Sequence, residues 1–362
     1  MSLAVKKFKI VKLILNKTIF NENIIELILI KYWKLLPKNK ILLEWIDINK
    51  LNFFYLSLNI NAIDLLKKNK DKINWINLSK NINAISLLKE RIIYEKKYSK
   101  EFSNSYSKYY NEININYEFY SIENRIDWIY LSNNKNAINL LKENQDKIDW
   151  NELSLNKNAI TLLENNLDKI KWNKLSENKN AIELLKNNLD KINWKNLSKN
   201  KNAIKLFENN LNKVNWYYLC QNKNAIKLLE NNFDKINWYY LSQNKNAIDL
   251  LKNNKNKINW YGLVFNKNAI NILEENKNKI NWNELSLNKN AINLLKNKIK
   301  NENKLSDKQY TELKKCSNYL INWNKLSTNI NAIEILEKNQ DKINYNWLSI
   351  NPSIFKDEDI PI

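Results

Sequence analysis

The residues of this chain that could do chemistry are carboxylates, lysines, serines and two cysteines. Histidine is absent, which removes the commonest general base and metal ligand. Carboxylates recur at helical spacing, for instance Glu164 with Asp168, and such a pair could share acid and base roles. Asp168, however, belongs to a recurring Asp-Lys-Ile element in which capping or pairing with lysine is the plainer role. Serine holds one repeat position in ten units, but Cys220 and Val264 replace it in two others. Interchange among Ser, Cys and Val indicates a small enclosed site where volume matters more than a hydroxyl, so these serines are poor nucleophiles. A single glycine permits neither a P-loop nor a GxGxxG turn, and HExxH needs histidine. Cys220 and Cys316 have no CxxC neighbour and cannot form a secreted-type framework, which fits a reducing compartment. No catalytic, cofactor-binding or metal-binding residue is assigned, and a binding or scaffolding protein is expected.

The formal net charge is +21 with a pI near 9.5, which favours encounter with anionic partners. Asn, Lys and Ile, which dominate the composition, all have A/T-rich codons, so genome composition could produce the same excess. The sequence leaves both explanations open.

What positions these residues is a 22-residue repeat, seen plainly in Trp150 to Lys171, WNELSLNKNAITLLENNLDKIK. Tryptophan returns at Trp128, Trp150, Trp172, Trp194, Trp216, Trp238, Trp260 and Trp282. The register extends back to Phe53 and Trp75 and forward to Trp323 and Tyr345, making twelve units. A fixed period of this length means stacked modules. Counting the Trp as zero, Leu falls at +3, Ala and Ile at +9 and +10, apolar residues at +12 and +13, and usually Ile at +20. At 100° per residue the +9 to +13 apolar set covers about 160°, wide enough to be buried on two sides. The predicted unit is a hairpin of a short helix from Trp to +4 and a longer one starting after an N-cap Asn at +6, such as Asn156. Asn351-Pro352 supports that start, since proline suits a first helical position. The Asn pair at +15 and +16 offers a left-handed exit. Either Asp at +18 or Asn at +21 caps the next short helix. The fold class is therefore all-α, an α-solenoid of about twelve two-helix repeats, with an expected arc of roughly 100 Å at 8–10 Å per unit. A leucine-rich horseshoe is the rival, but its second leucine must face the core. Here +5 reads Lys80, Asn133, Glu177, Lys199, Gln221, Gln243 or Thr328.

Residues 1–52 read as an N-terminal helical cap over the open end of the stack, with Ile24, Ile25, Leu27, Ile28 and Trp33 on one broad face and Pro37 ending the helix. The repeats occupy 53–355, interrupted near 90–124, which is rich in tyrosine (Tyr94, Tyr98, Tyr106, Tyr109, Tyr110, Tyr117, Tyr120), and near 300–317. Residues 356–362 form an acidic tail expected to fray. Neither a signal-peptide core nor a membrane span is apparent, so an intracellular protein is expected.

With the unit written W-x-x-L-S-x-N-x-N-A-I-x-L-L-(K/E)-x-N-x-D-K-I-(N/D), the chain resembles the tryptophan-repeat gene family of large nucleocytoplasmic DNA viruses, including insect poxviruses and giant viruses, over residues 50–355. Relatives commonly carry Asn-Pro-Asn-Ala-Ile, as Asn351-Pro352 retains here, whereas most units have Lys in place of Pro. The closing Trp347 to Phe355, WLSINPSIF, is similar to the family's usual last unit. The resemblance implies a viral origin, action in the cytoplasm of an infected host cell with the nucleus as an alternative, and a multigene family of uncharacterised function with no catalytic residues to carry over. Separately, Phe20 to Leu36, FNENIIELILIKYWKLL, loosely resembles the start of an F-box, which implies docking of a ubiquitin-ligase adaptor.

Two binding surfaces are expected. Buried positions are fixed and exposed ones variable, which suits a protein partner of unknown identity. At +1 and +2, where most units carry Asn, Glu or Lys, three successive units carry Tyr217 and Tyr218, Tyr239 and Tyr240, then Tyr261. Tyrosine supplies rigid area with a polar end, favoured at interface hot spots. Alternatively, one tyrosine of each pair extends the core. The second surface is a pair of lysine rows suited to nucleic acid. Position +7 carries Lys135, Lys157, Lys179, Lys201, Lys223, Lys245, Lys267 and Lys289, and +19 adds Lys147, Lys169, Lys191 and Lys213. Only Arg91 and Arg125 supply guanidinium.

Overall fold

Each repeat unit folds as two short helices and a closing 3-10 turn. In the sixth unit these span Trp194–Leu197, Ile204–Glu208 and Leu211–Lys213. The computed structural model describes residues 3–18, 21–36, 38–106, 125–316 and 318–359, with side chains for all of these except 98–106. The residue at +21 caps the short helix: the side chain of Asn193 accepts from the Asn196 N–H, and Asn215, Asn237 and Asp149 do the same in their units. Asp190, at +18, lies inside the 3-10 turn Leu189–Lys191.

Two local expectations are corrected. Asn156 closes the short helix Trp150–Leu155 instead of capping the next one, which begins at Ile160 behind Ala159. Its Oδ1 accepts from the Asn158 N–H at 3.1 Å, a local turn that leaves Nδ2 free to reach the preceding unit. Nor does the chain leave the longer helix through a left-handed residue, since no described residue has positive φ. Asn166 instead sits at φ −143° and donates Nδ2 to the Leu162 carbonyl at 2.9 Å, satisfying one of the carbonyls a helix end leaves open.

The core follows the period. Leu197, Ala203 and Phe207 are fully buried, as are their equivalents around the stack, and the buried side chains form one cluster from Ile46 to Phe355. Polar brackets tie unit to unit across it. Asn200 donates Nδ2 to the carbonyls of Ser176 and Asn178 at 3.2 and 2.9 Å. Asn202 donates to the Lys179 carbonyl at 2.9 Å. The Ser198 hydroxyl donates to the Trp194 carbonyl and accepts from the Asn215 N–H. The serine position is thus an enclosed site that also uses its hydroxyl. Cys220 keeps the accepting half, with the Asn237 N–H at 3.3 Å from Sγ.

The same brackets join the first unit to the last. Asn59 donates to the carbonyls of Ser349 and Asn351, Asn61 to that of Pro352, and the Asn52 N–H to the Ser349 hydroxyl. The twelve units therefore close into a ring, not the open arc expected, because the rotation per unit brings the twelfth onto the first. Two strands latch the seam: β1 (Lys40–Leu42) pairs antiparallel with β2 (Phe355–Asp357), with Ile41 opposite Lys356. The chain after Phe355 is thus paired instead of frayed as far as Glu358, whose N–H donates to the Asn39 carbonyl. Residues 360–362 lie outside the described residues.

A closed ring has no open end to cap. The N-terminal helices α1 (Leu3–Leu15) and α2 (Glu22–Leu35) bury Ala4, Phe8, Leu29, Trp33 and Leu36 in a cluster separate from that of the ring. Ile24 and Leu27, placed on the apolar face by the sequence, are exposed because α1 packs against the Leu29 and Trp33 side. Pro37 lies outside the described residues. At the first insertion the second unit's helix runs on from Ile85 to Tyr106. Tyr109, Tyr110, Tyr117 and Tyr120 lie outside the described residues, as do the side chains of Tyr98 and Tyr106. The second insertion lengthens one helix to Ile292–Glu302 and adds another, Asp307–Lys314, entered through a capping box at Ser306.

Candidate binding surface of the inner wall

Where the short helix reaches +5, as in Trp150–Leu155 and Trp238–Gln243, the residues at +1, +2 and +5 share an arc of about 100° away from the buried Leu. In six consecutive units the +5 side chain, from Leu155 to Phe265, and the +7 lysine face one concavity of about 650 Å³. Six successive units meet around this one space, so their +5 to +7 segments form the wall of the ring's concave side. Lys157, Lys179, Lys201, Lys223, Lys245 and Lys267 all line it, joined by Lys199 at +5. Glu177 is the single lining carboxylate and is taken up by Lys199 at 2.9 Å.

The lysines crowd one another. Lys179 and Lys223 on either side, then slight burial, then Lys157 and Lys245 two units away, hold the Lys201 ammonium below the usual lysine range. Lys289 does the same to Lys267, although it does not itself line the concavity. Around the seam the +7 position changes character: Ile60, Ile82, Ile330 and Pro352 stand where the other units have lysine. Three of these backbones keep the same inter-unit bond, with Asn83 donating to the Ile60 carbonyl, Asn136 to that of Ile82 and Asn61 to that of Pro352. The wall thus has a cationic sector and an apolar sector.

The two lysine rows of the sequence part company here. Lys169, Lys191 and Lys213, at +19, lie over the rings of Trp150, Trp172 and Trp194 at 4.9, 4.8 and 4.6 Å, each on its own unit's tryptophan. They cover apolar rings by cation–π attraction while the +7 row faces the concavity. Lys147 pairs with Asp146 at 3.4 Å.

Four of the five tyrosines form one aromatic run. Tyr217 meets Tyr240 edge-on at 5.0 Å, Tyr240 meets Tyr239 at 5.0 Å, and Tyr239 stacks on Tyr261 at 6.2 Å with 19° between planes. Tyr261 then meets Phe265 at 6.2 Å, and Phe265 lines the concavity. Tyr217 and Tyr261 are 56% and 49% exposed, whereas Tyr240 packs against the core. Tyr218 stands apart from the run beneath the Lys199 ammonium, 4.6 Å away. The tyrosine and lysine surfaces are therefore continuous, joined by Phe265 and Lys199. Sequence reasoning missed both joining residues. The available signal was that variable +5 falls in the same arc as +1 and +2.

Among the described residues no group of Cys, Asp and Glu is placed to hold a metal ion, and no helix is long and apolar enough to cross a membrane. No family model matches the chain, and neither a curated protein nor a solved structure matches it significantly.

Proposed function

We propose that the protein is a non-enzymatic interaction ring that docks a partner protein through the aromatic run that ends at the concavity. The observation that carries this reading is the contact path Tyr217–Tyr240–Tyr239–Tyr261–Phe265, about half-exposed at Tyr217 and Tyr261, whose tyrosines stand where most units hold Asn, Glu or Lys. Aromatic side chains in such a position bring large rigid area to an interface, and the adjoining lysines favour an acidic segment on the partner. The resemblance to viral tryptophan-repeat proteins favours action in an infected host cell, in the cytoplasm. The test is a variant with Tyr217, Tyr239 and Tyr261 replaced by serine. Loss of a directly bound partner with an unchanged melting temperature supports docking. A large fall in melting temperature with the partner retained assigns the run to the fold.

A second reading, single-stranded nucleic acid, is favoured by the same juxtaposition of lysines and aromatic faces, since such strands combine backbone charge with bases that stack. It requires oligonucleotide binding that weakens steeply with added salt and is lost in the tyrosine variant.

A further inference from the structure

The cationic sector holds more positive charge than the fold uses. Among the described residues, no ion pair takes any of Lys157, Lys179, Lys201, Lys223, Lys245 or Lys267. Packing does not require lysine there either, because Ile60, Ile82 and Pro352 occupy the same position with the unit-to-unit bonds intact. A second set of donors accompanies the ammoniums. Among the described residues the backbone N–H of Lys179, Lys201 and Lys223 finds no acceptor, since Asn178, Asn200 and Asn222 turn the chain so that the following N–H is skipped. Pro352, which has no N–H, sits at the equivalent point for that reason. Like charges gathered in one concavity repel, and a multivalent anion relieves that repulsion at every lysine at once.

We propose that this concavity is a binding site for a compact polyphosphate, a small molecule carrying several phosphate groups. The volume of about 650 Å³ lies within the range of small-molecule sites. Lysine is a hydrated point charge that meets phosphate without a fixed plane, so a curved array of lysines suits a ligand with phosphates on several sides. An acidic peptide fills part of the same space with backbone and side-chain carbon and brings less charge into it. A nucleic-acid strand spaces its phosphates along a line, whereas these lysines are gathered around one concavity. The site goes beyond the protein-docking reading and does not depend on it.

The test is calorimetric titration of the full chain with inositol hexakisphosphate at low and moderate salt. Binding should weaken with salt and raise the melting temperature. The triple variant Lys179→Gln, Lys201→Gln, Lys223→Gln should bind at least about tenfold more weakly. The control Lys169→Gln, Lys191→Gln, Lys213→Gln removes the same charge outside the concavity and should change affinity less than about twofold. Undetectable binding at low salt overturns the proposal, and so does equal weakening by the two triples, which would mean a response to net charge alone. Tighter binding of oligothymidylate or a polyglutamate peptide through the same three lysines also overturns it, in favour of a strand or a protein segment. Flotation with vesicles carrying a phosphoinositide bisphosphate distinguishes a lipid headgroup from a free ligand, and either supports the site if the concavity triple abolishes it. The tyrosine variant separates this inference from protein docking, because it should leave inositol hexakisphosphate binding unchanged.

Discussion

The Nδ2 of Asn59 donates to the carbonyl of Ser349 at 2.9 Å across 290 residues of chain. Its second bond, to the Asn351 carbonyl at 2.9 Å, completes the bracket that Asn200 makes between two interior units. The seam thus repeats the bracket found between interior units. Asn59→Ala should cost about as much stability as Asn200→Ala, roughly 2–4 kcal/mol each, because both strand two buried carbonyls. In an open stack Asn59 would be terminal and its loss cheap, so denaturant melts of the two variants decide between ring and arc. Small-angle scattering should independently give a closed profile instead of a particle roughly 100 Å long.

Gly262 stands at +2, where the eighth and ninth short helices approach closely. A Cβ there would fall 2.5 Å from the Tyr239 carbonyl oxygen, which is backbone and cannot rotate away. Gly262→Ala should destabilise by about 1–3 kcal/mol through forced separation of the helices. The same shift should pull the stacked Tyr239 and Tyr261 apart, seen as a change in near-ultraviolet circular dichroism.

The two thiols should differ sharply in reactivity. Cys220 is buried in the serine position and burial pushes its thiol pKa up, away from the reactive thiolate. Cys316 is exposed. Alkylation of the native protein near neutral pH should therefore label one thiol, Cys316, and the second should appear only on unfolding. Rapid labelling of Cys220 in the native ring would contradict its enclosure.

Glu302 ends the helix that carries the second insertion, and its carboxylate accepts from the Ile321 N–H at 3.0 Å where the chain returns to the ring. Burial raises its pKa, against the opposing pull of that N–H and of Lys298. A carboxyl raised on folding holds its proton more tightly in the folded chain. The stability linked to it is complete below the ordinary glutamate range and is lost as pH rises through the raised folded value. The stability read from denaturant melts should accordingly fall as pH rises through that window. Glu302→Gln, which keeps an accepting oxygen, should remove the dependence.

The sequence by itself determined the unit, its helical nature, its buried positions and the number of units. Each of these is a local property: Leu197, Ala203 and Phe207 are buried because the 22-residue period places them on one face with their equivalents. The roles of asparagine were legible only in part. Its side chain can cap, turn or bridge with nearly equal ease, and only a neighbouring unit at hydrogen-bond distance made Asn156 a bridge between units. Closure was not legible at all, because a few degrees of rotation per unit separate an arc from a ring and no single residue encodes the sum. Closure in turn decided the candidate site. In an open arc the +7 lysines would be a row and the tyrosines a separate stripe. Curvature drew Lys157 through Lys267 around one concavity and set Phe265 between the lysines and Tyr261.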